Sequence, residues 1–490
     1  MHQIMCRNHP RLFCSFLLNI FSKSVVGAPI GVASMYDLGW KTDPSLKSPY
    51  YLEGDFSLTP LEQKALALLA SHIRQRSQSV PDFKICAKSL EEALLAVCAD
   101  MQFPMLRSRA ELLKQIAEMN LKGLGIFDLL LSDPALEEIA VTGAHSPIRV
   151  YRRCEGWLDT NCFITSKEFA LSCMNKIGRR LGRRITSSSP ALDAMLPDGS
   201  RLHASWKPLN ADDFEITIRK FTASPLSIPE LAANRTISFG AAAFLWAAAF
   251  ADISILICGN TGSGKTSLLN ALFSFIPLDE RILLVEESPE VRLPHPHKVR
   301  LVSNERAGLG MRELVQNSLR MRPDRVVVGE ARSEGEVAAL FECLQSGQAK
   351  GSFATFHGRD SRQALARLRH FGIPAGDLSA IDLIVVMRRI SIYDPGKGKR
   401  LELRRVMEIT EITPAGNPRI LFAYDLNSDS LVPSLPELRK CSLLNKMSLN
   451  YRMGVEGLLH EIKRREGLLK ALPIRTHGFG EFTQFANSKP

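Results

Sequence analysis

Ile255-Leu256-Ile257-Cys258-Gly259-Asn260-Thr261-Gly262-Ser263-Gly264-Lys265-Thr266-Ser267-Leu268-Leu269 is the stretch from which the rest of the chain can be read. Its apolar opening predicts a strand, and Ser267 to Phe275 predicts a helix. Between them stands G-x-x-x-x-G-K-[ST] without a mismatch. Three glycines let successive backbone N–H groups and the helix start face an anion. Lys265 is then placed to reach the outer phosphates of a nucleotide, and the Thr266 hydroxyl to help hold Mg²⁺. A plain glycine-rich turn would need neither residue at those offsets. The expected cradle is therefore Gly259, Asn260, Thr261, Gly262, Ser263, Gly264, Lys265 and Thr266.

Downstream, apolar runs at Ile282 to Val285, Val326 to Val328, Phe353 to Thr355 and Leu383 to Met387 alternate with helical stretches. That alternation predicts an α/β domain with a mostly parallel sheet covered on both faces. Val406 to Ile412 and Ile420 to Asp425 flank Pro414-Ala415-Gly416-Asn417-Pro418, which predicts a closing hairpin. Upstream, Leu61, Ala65, Leu66, Leu69 and Ile73 share one helical face within a helical region reaching Met119. Short strand-like runs from Ile139 to Lys220, around a helix near Lys167 to Leu181, predict a smaller α+β domain. The expected division is 1–45 unassigned, disordered or mis-started; 46–130 helical; 131–222 α+β; 223–236 a linker carrying Pro225, Pro229 and Asn234; 237–435 the nucleotide domain; 436–490 a basic helical tail.

With 490 residues and 45% apolar content the chain can build several cores. Its 62 basic against 51 acidic residues favour an anionic partner without choosing among nucleotide, lipid and nucleic acid. The ten cysteines form no CxxC pair with metal spacing, which predicts reduced thiols rather than a zinc framework or disulfide scaffold. No apolar run approaches the roughly 20 residues of a membrane helix.

A nucleotide site needs a carboxylate at the end of a neighbouring strand, where the metal and attacking water sit. Val326-Val327-Val328-Gly329-Glu330 and Leu284-Val285-Glu286-Glu287 each end on one. One of Glu286 and Glu330 is expected to orient or deprotonate water and the other to act through the metal, with the division left open. A carboxylate at a strand end also commonly serves as a helix cap.

From about Tyr50 to Asp425 the chain resembles the type II/IV secretion ATPases, motors of secretion systems, type IV pili and the archaeal flagellum. The resemblance rests on the phosphate loop, Leu196-Pro197-Asp198-Gly199-Ser200-Arg201, Thr217-Ile218-Arg219-Lys220-Phe221, the acidic stretch Leu284 to Pro294, Arg320 with Pro323-Asp324 and Gly329-Glu330-Ala331-Arg332, and Thr355-Phe356-His357. The wording of several blocks is nearest the archaeal and tight-adherence branch. The resemblance implies a mobile N-terminal domain, a RecA-like P-loop NTPase domain and a homo-hexamer that hydrolyses ATP with Mg²⁺. It implies catalytic roles for Glu330, Glu286 and His357, with Arg201 and Arg219 approaching the nucleotide from outside the catalytic core, and Thr266 and Glu330 at the metal. It further implies a cytoplasmic chain peripheral to the inner face of the membrane, with a polytopic platform protein as partner and pilin-like substrates reached indirectly. Gln348, Ser333 and Glu287 depart from the pattern, standing where His, Asp and Asp are usual. Two alternatives follow. A DNA-translocating conjugation or uptake ATPase ranks lower because no aromatic-interleaved basic groove is visible, so nucleic acid is not the expected partner. A non-hydrolysing ring component is motivated by Gln348 and Ser333.

Overall fold

The computed structural model describes residues 40–43, 48–50, 52, 58–79, 86–102, 107–153, 155–211, 213–221, 225–304, 307–394, 396, 398–472 and 478–488. The expected unassigned stretch up to residue 39, and the linker's first two residues, 223 and 224, lie outside these. The chain divides into two compact units, Met1–Ala223 and Ser224–Pro490. No helix among the described residues is long and apolar enough to cross a membrane.

In the first unit, strand β1 (Trp40–Thr42) precedes helices α1 (Pro60–Ser79), α2 (Ala87–Asp100), α3 (Arg107–Leu121) and α4 (Ile126–Ser132). Strands β2 (Leu136–Thr142), β3 (Pro147–Arg152) and β4 (Gly156–Ile164) follow. Helix α5 (Lys167–Arg180) starts at Ser166, whose Oγ accepts from Phe169 N at 3.2 Å. Strands β5 (Ala191–Met195), β6 (Arg201–Trp206) and β7 (Phe214–Arg219) complete a sheet ordered β1-β4-β3-β2-β7-β6-β5, antiparallel at every pairing of these strands. Leu69, Leu113, Phe127, Ile139, Ile148, Met174 and Ile216 fill one core that joins helices to sheet.

The second unit opens with α6 (Ile228–Ala233), inside the segment expected as linker. Ser227 and Glu230 close a capping box there, Ser227 N donating to Glu230 Oε2 at 2.7 Å, and Ile228 and Leu231 are buried. Next come α7 (Phe239–Phe250), β8 (Ile255–Gly259), α8 (Lys265–Leu272), β9 (Ile282–Glu286), β10 (Lys298–Val302), α9 (Met311–Leu319), β11 (Arg325–Ala331), α10 (Glu334–Gln345), β12 (Gly351–Phe356) and α11 (Ser361–His370). The long strands β13 (Leu383–Asp394) and β14 (Lys399–Ile412), then β15 (Pro418–Asp425) and β16 (Ser430–Pro433), are followed by α12 (Leu435–Arg439), α13 (Ser442–Tyr451), α14 (Val455–Ala471) and α15 (Phe479–Asn487).

The sheet order is β10-β9-β11-β12-β8-β13-β14-β15-β16, parallel from β10 to β13 and antiparallel beyond. Side chains alternate across each strand. Ile255 and Ile257 therefore enter one core with Leu284, Val327 and Val385, while Leu256 and Cys258 enter the opposite one with Val326, Val328 and Ile384. Burial on both faces explains why these strands read as unbroken apolar runs. Edge strand β10, half exposed and carrying Lys298 and Arg300, gave no such signal. Helix α7, apolar on all sides, has Ala241 to Ala249 buried. The segment expected as a basic tail covers it: Leu443, Leu444, Met447, Leu458, Leu469 and Phe482 belong to the same core. Arg465 is 0% exposed, lies over the rings of Trp246, Phe250 and Tyr451, and meets Glu461 at 2.8 Å.

Candidate functional site: a phosphate loop with a carboxylate cluster

The loop after β8 can be built only with glycine at its turning points. A Cβ on Gly259 would stand 2.4 Å from the Met387 carbonyl oxygen and 2.5 Å from Ser263 Oγ. Gly262 and Gly264 have φ of 72° and 96°, the left-handed region that side chains disfavour. Helix α8 then begins at Lys265. The lysine is buried, its Nζ donating to the carbonyls of Gly259 at 3.1 Å and Asn260 at 3.4 Å. Ser263 Oγ is buried and has no hydrogen-bond partner. A closed cradle holding an ammonium and an unsatisfied hydroxyl fits an anionic ligand such as a phosphate chain.

Glu330 comes from β11, two strands from β8. The β11–β12 register shifts between Val328 and Ala331, and within this irregularity Glu330 meets three cations or polar partners. Its Oε1 lies 3.5 Å from Lys265 Nζ and 2.8 Å from His357 Nε2, and its Oε2 accepts from Arg332 Nε at 2.7 Å. Burial pushes this carboxyl up the pKa scale, but Lys265, Arg332 and His357 together outweigh it and hold the group below its ordinary value. His357 follows β12 directly. Burial, then Lys265, depress its pKa, and Glu330 offsets this only in part; its Nε2 faces the Glu330 carboxylate. Arg367 fixes the His357 carbonyl at 2.7 Å, and the Thr355 hydroxyl donates to the Gly329 carbonyl at 2.6 Å.

Glu286 sits differently. It is 1% exposed, its Oε1 accepts from the backbone N–H of Glu290 (2.9 Å) and Val291 (2.7 Å), and Arg300 Nε lies 3.0 Å from Oε2. Burial raises its pKa despite these contacts. Its carboxylate shapes the loop after β9, whereas Glu330 is the acid joined to Lys265. Glu287 is exposed and pairs with Arg332 at 2.6 Å.

In the first unit, Arg201 and Arg219 pair across β6 and β7, so the two N-terminal motifs converge. Ser200 Oγ accepts from Phe221 N at 3.0 Å and donates to Asp198 at 2.7 Å, tying the motifs together. Of the departures, Ser333 is the N-cap residue of α10, its N–H bonded to Glu336 at 3.1 Å, a position that Ser and Asp fill equally well. Gln348 is exposed in the turn before β12. Sequence reasoning missed Arg404, whose Nε donates to the Gly262 carbonyl at 2.9 Å, and Arg389, whose Nη1 lies 3.4 Å from where a Gly262 Cβ would stand. The only hint was the pair of doublets Arg388-Arg389 and Arg404-Arg405 on facing strands.

Among the described residues no three His, Cys, Asp or Glu side chains gather into a metal site. The Thr266 hydroxyl and the Glu330 carboxylate are hard oxygen donors suited to Mg²⁺, and they would hold it jointly with phosphate oxygens rather than in a cage of their own.

The family described as "Type II/IV secretion system protein" matches residues 163–410, half of the chain and parts of both units. An uncharacterized protein of Methanocaldococcus jannaschii is 35% identical over 302 residues, covering 61% of this chain; the chain spans about half (53%) of that relative's length. The type IV secretion system protein VirB11 of Bartonella quintana is 28% identical over 331 residues, covering 55% of this chain and 92% of its own. Among solved structures, the Legionella pneumophila ATPase DotB aligns over 74% of this chain and 90% of its own at 17% identity and TM-score 0.44, a likeness too distant to add to the family match. With motifs from both units inside the matched span, the chain belongs to the type II/IV secretion system protein family.

Proposed function

We propose that this chain is a Mg²⁺-dependent P-loop ATPase of RecA-like fold, working in a homo-hexameric ring that drives export or assembly of pilin-like subunits through a polytopic membrane platform. The observation that carries the reading is the meeting of Lys265, Glu330 and His357 beside a loop only glycines can build. Lys265 leaves the loop carbonyls of Gly259 and Asn260 to bind the outer phosphates. Glu330, ionised because its neighbours are cationic, orients the attacking water and accepts its proton. His357 holds Glu330 through Nε2 and senses the terminal phosphate. Bound Mg²⁺, held by Thr266 and Glu330, supplies neutralisation of phosphate charge. Glu286 keeps the acidic loop in shape. To Arg201 and Arg219 we assign neutralisation of charge on the phosphate chain, on the strength of their motifs and their mutual pairing. The place of work is the inner face of the cytoplasmic membrane.

The test is phosphate release from ATP by the purified chain and by Lys265→Ala, together with filament assembly in a strain carrying that variant. Turnover in the wild type and its loss in the variant, with assembly lost too, is the expected result. Wild-type protein that leaves ATP intact would reject the enzyme, and normal assembly in the variant strain would reject the motor.

A further inference from the structure

Helix α5 runs out into Arg179-Arg180-Leu181-Gly182-Arg183-Arg184, six residues of which four are arginine. The buried rhythm of Cys173, Met174 and Ile177 would carry Leu181 into the core if the helix continued. It stops instead. Leu181 N and Arg183 N both donate to the Gly178 carbonyl, at 2.9 and 2.8 Å, and Gly182 turns the chain with φ of 63°. Buried Asn175 anchors the far side of the turn by accepting from Ile185 N at 2.9 Å, and a Cβ on Gly178 would stand 2.7 Å from the Arg183 carbonyl oxygen. The turn is thus held firmly to the body of the first unit, with Arg179, Arg180, Arg183 and Arg184 exposed around a leucine that is itself 40% exposed.

Arg179 and Arg183 reach backbone carbonyls, those of Asn175 and Asp193, each at 3.3 Å, and among the described residues neither they nor Arg184 meets a carboxylate. The Asp193 side chain is bound to His203 instead, at 2.8 Å. Thr186 and Ser189 exchange backbone hydrogen bonds, which returns the chain to Pro190, whose carbonyl accepts from Trp206 N at 2.8 Å. The turn after β6 therefore opens at the same end of the β5–β6 ladder, and it exposes Lys207 and Leu209, the latter by 60%. We propose that this end of the first unit is a docking surface for an anionic lipid bilayer, its arginines meeting headgroup phosphates and its two leucines entering the acyl boundary. The proposal rests on the reading that the chain works at a membrane, and it names the surface and the lipid class. Three guanidiniums without a carboxylate partner suit an anionic plane, each strengthening partition to it by about fivefold. Leucines exposed beside them gain from an apolar boundary what water denies them. A nucleic acid would call for rings on which bases stack, and the aromatic side chain at this end, Trp206, is already stacked on Phe214 at 4.9 Å.

The experiment is sedimentation of the full chain with vesicles of phosphatidylcholine alone and of phosphatidylglycerol and phosphatidylcholine in equal parts. Wild type is compared with the double variant Arg183→Gln, Arg184→Gln and with Leu181→Ser, each checked for an unchanged melting temperature. Wild-type protein is expected to bind the anionic vesicles in preference to the neutral ones. The double variant should lose about 25-fold in affinity for them, fivefold for each arginine, and Leu181→Ser roughly threefold for a partly buried leucine. Raising salt from about 0.1 to about 1 M shortens the screening length from about 10 to about 3 Å and should release the wild type. If the wild type binds anionic vesicles and the double variant binds them equally well, this surface is excluded and the membrane reading stands. A duplex oligonucleotide that holds the wild type more tightly than the anionic vesicles do, and loses the double variant, overturns the choice of lipid. Wild-type protein that binds neither kind of vesicle overturns this proposal and the direct attachment to a membrane with it.

Discussion

Replacing Glu330 by Gln keeps the shape of the side chain and removes the charge on which the cluster is balanced. Two unit charges at the 3.5 Å separation of Lys265 and Glu330 attract by about 5 kcal/mol at an effective dielectric of ~20. The Glu330 side chain is 21% exposed and shares its charge with Arg332 and His357, so the net coupling to Lys265 is discounted to about 1 kcal/mol. That is the energy Lys265 must give up before turning to a phosphate. Glu330→Gln is therefore expected to bind ATP about fivefold more tightly in EDTA, 1.4 kcal/mol being a factor of ten. Turnover with Mg²⁺ is expected to fall by about 100-fold or more, the usual share of a general base. Titration calorimetry measures the first quantity and phosphate release the second. Weaker binding without metal would refute the Lys265–Glu330 balance, and turnover near the wild-type rate would remove Glu330 from the chemistry.

Three further predictions concern the scaffold. His295, buried beside Phe273, has its pKa pushed by burial from 6.5 down to about 4. The native state thus binds fewer protons than the unfolded one, and stability from this group is present above pH 6.5 and is lost as pH falls toward 4. The loss at pH 5 is about 2 kcal/mol, and urea midpoints at pH 7.5 and 5 should show it in the wild type but not in His295→Gln. Arg465→Ala leaves Glu461 with Arg464 as its remaining cation and opens a void lined by Trp246, Phe250 and Tyr451, which should cost ~2–5 kcal/mol in chemical denaturation; a cost below ~1 kcal/mol would contradict this packing. Truncation before Ser434 removes Leu443, Leu444, Met447, Leu458, Leu469 and Phe482 from the core and should yield insoluble or non-cooperatively melting protein, whereas unchanged melting would show that α12–α15 are dispensable.

The legible parts of this protein are those whose physics is local. Gly259 to Thr266 announce the cradle we propose for phosphate because backbone curvature, a lysine and a hydroxyl must occur at fixed offsets, and the parallel strands announce themselves because burial on both faces leaves only apolar residues. Glu330 and His357 were also visible, each standing just where an apolar strand ends. What the sequence left open was decided by pairing across distance. Glu286 and Glu330 look alike in the chain, and only the loop after β9, with its backbone N–H groups and Arg300, separates a structural acid from the one that meets Lys265. Strand β13 was expected to stop at Met387, where charged residues begin, yet β14 supplies its hydrogen bonds and carries it past the glycine loop to Asp394. The residues after Pro436 read as a basic tail because their charges face solvent, while their apolar positions close over α7. Local propensity cannot show which distant surface will cover a buried face, and only the folded chain settles that.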